Sequence, residues 1–212
     1  MTTESVNTEI VSTGAGADRA PTLLVLVGSV RDGRFGHVAG SWVAERAREH
    51  GGFDVELVDL ADVDVPLVLP AASPKDAASY PRPPGMTSLT RALDAADAVL
   101  LVTPEYNHSY PASLKAAIDW HYTQWAAKPV TFASYGGGSG GRHAVLHLEN
   151  VLVELHAVPI RDRLAFADYP LHWDDGRPTE AAAQIAAKNV LDLLHWWAVA
   201  LARGRTEAPY PA

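Results

Sequence analysis

The strongest constraint on the fold is an uninterrupted apolar run, Ala98-Val99-Leu100-Leu101-Val102. It breaks abruptly into Thr103-Pro104-Glu105-Tyr106-Asn107-His108 and restarts at Pro111 with the pattern of a helix. A short run rich in branched residues and bounded by turn signals is the pattern of a strand buried on both faces, as in a parallel sheet covered by helices. Proline suits the first turn of the following helix because its missing N–H would have no intrahelical partner there. Open α/β sheets bind ligands in the crevice outside the carboxyl ends of their strands. The segment from Thr103 to Trp120 therefore marks a binding site before anything else is known.

The rest of the chain repeats this alternation. Leu23-Leu24-Val25-Leu26-Val27 is a second continuous apolar run, ending at Gly28-Ser29. Phe35 to His50 carries Val38, Trp42, Val43 and Ala47 at helical spacing, and Gly51-Gly52 stops it. Phe53 to Asp59 alternates as a strand nearer the sheet edge. Thr87 to Ala96 reads as a helix, Pro129 to Ser134 as a fourth strand, Arg142 to Leu155 as a helix, and Ala157 to Arg161 as a short fifth strand. A last helix opens at Thr179 and runs to about Arg203. Strand–helix alternation of this kind predicts an α/β fold: a flavodoxin-like three-layer α/β/α sandwich on a five-stranded parallel sheet in the order 2-1-3-4-5.

Length and charge bound the function. The 212 residues suffice for one domain, expected over 22–203, with a polar, disordered leader over 1–21 and a poorly ordered tail over 204–212. A formal net charge of −8 argues against a general nucleic-acid surface, and no apolar stretch is long enough to span a bilayer. The chain has no cysteine, which excludes thiolate catalysis, disulfides and iron–sulfur clusters. The leader lacks the apolar segment of a secretory signal, so a cytoplasmic location is expected.

Three loops should converge on one crevice at the switch point. The first, Gly28 to Gly36, combines Ser29, Arg31 and Arg34 with a helix start, a combination suited to phosphate. The second is the Pro104–Asn107 loop. The third, Tyr135 to Gly141, is glycine-rich and lets backbone approach a flat ligand closely. Together they suit a ligand with a phosphate tail and a planar ring system.

These motifs, Gly-Ser-x-Arg, Pro-Glu-Tyr-Asn followed by PASLKAAIDW, and SYGGGSGG, resemble those of the NAD(P)H-dependent FMN reductase family, whose members include flavodoxin-like quinone, azo-dye and chromate reductases. The resemblance implies bound FMN, NADPH or NADH as electron donor, and a small-molecule acceptor such as free flavin, a quinone or an azo compound. It places Ser29, Arg31, Arg34, Phe35 and Gly36 around the FMN phosphate. Pro104, Glu105, Tyr106 and Asn107 would lie along the isoalloxazine, with Ser134, Tyr135, Gly136 and Gly137 on its other side. Many members carry Ser and Asn where this chain has Arg34 and Gly36. No catalytic acid or base is required, since the flavin carries the chemistry. Two other readings of the same motifs are a flavodoxin-type electron carrier without a nicotinamide site and a biosynthetic flavin oxidoreductase with one dedicated substrate.

Further features carry structural expectations. His143 and His147 stand four apart on one predicted helix, but that helix offers no third ligand, so no metal site is expected. Leu193, Leu194, Trp196 and Trp197 read as the buried face of the last helix. The helix after Pro111 and the segment behind it hold more aromatics than one face can bury, including Trp120, Tyr122 and Trp125. A homodimer or homotetramer interface is the expected use of the surplus; support for the proline-rich connection between Ala61 and Gly85 is the alternative.

Overall fold

A computed structural model of the protein describes residues 19–76 and 80–211. The expected leader falls outside them apart from its last residues, of which Arg19 pairs with Asp97 at 2.8 Å. The chain alternates β1 (Thr22–Val27), α1 (Gly36–His50), β2 (Asp54–Asp59), α2 (Thr87–Ala95), β3 (Ala98–Pro104), α3 (Ala112–Asp119), β4 (Pro129–Tyr135) and α4 (Arg142–Glu154). Two short strands follow, β5 (Val158–Pro159) and β6 (Leu164–Phe166), then a small hairpin of β7 (Trp173–Asp174) and β8 (Arg177–Pro178), and finally α5 (Ala181–Glu207).

The strands run parallel in the order β2-β1-β3-β4-β5, as the alternation predicts. Both faces of the central strands are buried with the two-residue period of a pleated sheet. Leu24, Leu26, Val99 and Leu101 face the layer of α2, α3 and α4, while Leu23, Val25, Val27, Leu100 and Val102 face α1 and α5. That double burial is why these strands carry continuous apolar sequence.

The fifth strand lies where expected, β5 falling within Ala157–Arg161. A sixth strand was not expected: β6 pairs with the other end of β4. The ladder to β4 runs through the Val158 and Ile160 N–H groups, donating to the Lys128 and Val130 carbonyls at 2.8 Å each, and the chain leaves the sheet beyond Ile160 before β6 begins. The Thr131 hydroxyl fills the gap by donating to the Asp162 carbonyl at 2.7 Å.

The surplus aromatics also find a different use. The helix after Pro111 ends at Asp119, and a 3₁₀ turn at Thr123–Trp125 follows. Trp125 is fully covered by its own chain, which removes it from any subunit contact. Trp120 donates its indole N–H to the Pro66 carbonyl at 2.7 Å and meets the Tyr80 ring, while Arg82 donates to the Trp120 carbonyl and Lys75 lies over Tyr122. The long proline-rich connection thus rests on these rings.

On α5 the buried stripe is Ala187, Val190, Leu191, Leu194 and Ala198. Trp196 lies about 200° around the helix from Leu194 and is 61% exposed, so the expected burial of that side chain is corrected. Trp197 is half-buried against the α1 layer. The helix also runs past Arg203 to Glu207, because Arg205 is held by the Ala127 carbonyl at 2.6 Å and the Asp97 carboxylate at 2.9 Å. The expected loose tail therefore starts later than residue 204.

Candidate cofactor site

The three loops meet at the carboxyl end of β1, β3 and β4. Gly28 begins the first, donating its N–H to the Val102 carbonyl at 2.9 Å, while its own carbonyl accepts from the Ser113 hydroxyl at 2.6 Å. A side chain at Gly28 would strike Leu114, so the loop sits tightly on the start of α3. Ser29 is fully buried, and its Oγ lies 3.0 Å from the Tyr106 hydroxyl of the second loop. A Cβ on Gly36 would lie 2.7 Å from the hydroxyl oxygen of Tyr135, the last residue of β4. The three loops are therefore joined at side-chain level around one small group of hydroxyls.

That group has unspent donors. The Tyr135 hydroxyl is buried beside the Ser29 hydroxyl and the Gly36 N–H yet makes no hydrogen bond of full geometry among the described residues, and burial pushes its pKa above the ordinary tyrosine range. Helix α1 begins without a capping side chain and has no acidic residue in its first turn. Its leading N–H groups and the positive end of its dipole are free to meet an anion. A buried lone hydroxyl is costly unless something completes it. This donor set fits a phosphate.

The two arginines of the first loop separate here. Arg34 Nη2 bonds Asp59 Oδ2 at 2.5 Å, and His37 Nδ1 stands 3.4 Å from the same oxygen. Asp59, at the end of β2, thereby offsets the charge that Arg34 was expected to bring. Arg31 is exposed and makes no ion pair among the described residues, so it is the loop's available guanidinium. Phe35 turns to the opposite side, stacking on Tyr169 at 4.2 Å and meeting Tyr135 and Trp173 edge-on. Asp59, Tyr169 and Trp173 escaped the sequence reading; the aromatic-rich run Tyr169 to Trp173 was the available signal.

In the second loop, Tyr106 and Ser109 exchange backbone hydrogen bonds of 2.7 and 2.9 Å, and Asn107 and His108 both have positive φ, as at the centre of a type I′ turn. Glu105 keeps its N–H on the Tyr135 carbonyl at 3.1 Å, so its backbone borders the crevice. Its side chain turns instead to α4, accepting the His143 N–H at Oε2 (3.0 Å) and lying 3.0 Å from His143 Nδ1 through Oε1. Burial opposes ionisation of Glu105, but hydrogen bonds from His143 and Ser139 outweigh it and hold the carboxyl below its ordinary pKa. Glu105 is thus a helix-start carboxylate, acting on α4 rather than on the helix that follows it in sequence.

The third loop is folded back on β4. The Ser134 hydroxyl is buried and donates to the Gly140 carbonyl at 2.8 Å, a bond internal to the loop. Gly141, at φ 84°, would drive a Cβ to 2.6 Å from that of Ser134. Gly137 and Gly138 face open space, leaving their backbone accessible. Of the expected site residues, Ser29, Gly36, Tyr106 and Tyr135 are brought together. Arg31, Asn107 and Gly137 lie accessible on the loops, while Arg34, Phe35, Glu105 and Ser134 spend their side chains on the scaffold.

Comparison with known proteins points the same way. Residues 21–170 match the model of the NADPH-dependent FMN reductase family. An NAD(P)H-dependent FMN reductase of Schizosaccharomyces pombe is 36% identical over 57% of this chain and 60% of its own length. An NAD(P)H:quinone oxidoreductase of Solanum tuberosum is 30% identical, covering 86% of this chain and 94% of that protein. Among solved structures, the flavoenzyme NAD(P)H:acceptor oxidoreductase FerB of Paracoccus denitrificans superposes with a TM-score of 0.65 at 26% identity, over 85% of this chain and 98% of the other.

Proposed function

The chain belongs to the NADPH-dependent FMN reductase family, and we propose that it is an FMN-dependent oxidoreductase drawing electrons from NADPH or NADH and delivering them to a small-molecule acceptor. The observation that carries the site assignment is the uncapped start of α1 beside the buried Tyr135 hydroxyl, which lacks a hydrogen bond of full geometry among the described residues. FMN, when bound, supplies the hydride-accepting ring; the protein supplies binding, orientation and a shaped crevice. Ser29, Arg31, the Tyr135 hydroxyl and the N–H groups from Phe35 and Gly36 onward hold the phosphate. Backbone of Pro104, Glu105, Tyr106 and Asn107 borders one side of the ring system. Gly136 and Gly137 border the other, with Ser134 keeping their loop closed. Arg34 acts through Asp59, fixing the base of the first loop.

The acceptor is a quinone, free flavin or azo compound, and the reaction takes place in the cytoplasm. Among the described residues no helix is long and apolar enough to cross a membrane. Anaerobic stopped-flow mixing is the direct test. Bound flavin will bleach on addition of NADPH or NADH; bleaching by dithionite alone would identify an electron carrier instead.

FMN will bind more tightly than riboflavin, because the donors at α1 meet only the phosphate. Arg31→Ala will weaken FMN binding by about 1.5–3 kcal/mol, roughly 10- to 150-fold, and leave riboflavin unchanged. Equal affinities for the two flavins in a fluorescence-quenching titration would overturn the phosphate assignment. We further propose a homodimer or homotetramer, with Leu67 and Val68, exposed on the long connection, as apolar contact surface. Sedimentation velocity at micromolar concentration tests this: a monomer retaining full reductase activity rules it out.

A further inference from the structure

We propose that Glu105, His108 and His143 form a binding site for a divalent transition metal ion, of the Zn²⁺, Ni²⁺ or Cu²⁺ type, bridging the second loop to the start of α4. One possible ligand atom from each residue lies within 4.8 Å of the others, and this is the one such trio among the described residues. The site is independent of the flavin reading, since it uses side chains that turn away from the proposed cofactor.

The geometry begins from a pair already spaced for an ion. Glu105 Oε1 and His143 Nδ1 are 3.0 Å apart. Two ligands bonded at about 2.0–2.1 Å to one ion are separated by roughly 2.9–3.4 Å for right-angled to tetrahedral arrangements. An ion can therefore replace the shared proton with little movement, the ring proton then residing on Nε2. The carboxylate is preset for this role: its other oxygen is held by the backbone N–H of His143 at 3.0 Å. Outer hydrogen bonds of this kind are what orient metal-ligating side chains.

The third ligand comes from the turn. His108 and His143 stack with ring centroids 4.2 Å apart and planes at 12°. Lone pairs of parallel rings do not converge, so His108 must rotate to share the ion. It is free to do so, being exposed and without a hydrogen-bond partner among the described residues. Its backbone has φ 62° directly after Asn107 at φ 50°, the turn position that glycine fills most readily. A histidine there carries its imidazole to His143 at some conformational cost.

The ligand set also specifies the ion. Two imidazoles and one carboxylate favour borderline divalent ions over Mg²⁺ or Ca²⁺, which prefer all-oxygen shells, and the chain offers no thiolate. Neighbouring His147, four residues along α4, is engaged with the Ser109 hydroxyl at 3.0 Å and stays outside the site. No metal site is expected in the sequence from the helical pair His143 and His147; the proposed site takes only His143 from it and draws its other ligands from the second loop.

Isothermal titration of the tag-free holoprotein with Zn²⁺ tests the proposal. One ion per chain is expected, with a raised thermal midpoint. His108→Ala and His143→Ala should each weaken binding by at least about 10-fold, and His147→Ala should leave it unchanged. Bound Co²⁺ should show visible d–d absorption in the wild type that both ligand variants lose. His108→Gln serves as a second variant should His108→Ala unfold, metal-free thermal midpoints giving the check. Absence of Zn²⁺ binding, or binding undiminished in the His108/His143 double variant, would overturn the site.

Discussion

Truncating Trp125 to alanine will cost the fold about 3–5 kcal/mol, the usual range for removing a buried tryptophan. The ring is wholly excluded from solvent and belongs to the layer where α2, α3 and α4 meet the sheet. Its indole N–H has no partner among the described residues, so Trp125→Phe loses packing volume but no hydrogen bond and will cost much less. Because the contact is internal, the loss will not depend on protein concentration. Urea unfolding at two concentrations checks this. A loss under about 1 kcal/mol would show that the ring is dispensable to the core, and a concentration-dependent loss would return Trp125 to a subunit interface.

A second large effect is expected on acidification. His121 is fully buried, its Nδ1–H donating to the Ala117 carbonyl at 2.8 Å and its Nε2 accepting from the Thr90 hydroxyl at 2.9 Å. Burial pushes its pKa down to about 4, with the Ala117 carbonyl and Asp94 opposing the shift and Arg82 adding to it. The unfolded chain, at its ordinary value near 6.5, takes up the proton first as pH falls. The stabilising difference is therefore intact above pH 6.5, declines below it and is fully lost near pH 4. At pH 5 the loss attributable to this one group is about 2 kcal/mol. His121→Gln will flatten the change in unfolding free energy between pH 7.5 and 5. Identical pH slopes in the two proteins would remove His121 from the account.

The parts of the structure legible in the sequence are those governed by local pattern. The ranges of β1, β3 and β4 could be read because both faces are buried, which leaves no polar alternation to confuse the signal. The place of the crevice followed from topology. What could not be read depends on pairings distant in sequence. Arg31 and Arg34 look alike in the first loop, and only Asp59, 25 positions beyond Arg34, distinguishes them. Nothing local to Glu105 signals its side-chain partner, the first turn of α4, 38 positions further on. The split of β5 from β6 rests on a hydroxyl of β4, which strand propensity does not register.

Asp97 has a consequence for how the chain is made. Its Oδ2 accepts the N–H of Thr22, the first residue of β1, and its Oδ1 accepts Arg205 near the close of α5. One carboxylate thus joins the earliest strand to the final helix. During vectorial synthesis β1, β2 and β3 leave the ribosome long before Arg205 does, so the nascent sheet waits with that carboxylate half-satisfied and its α5-facing side uncovered. The sandwich closes at this seam only once α5 has been made, and a chain interrupted before Arg205 would leave Asp97 Oδ1 without that partner.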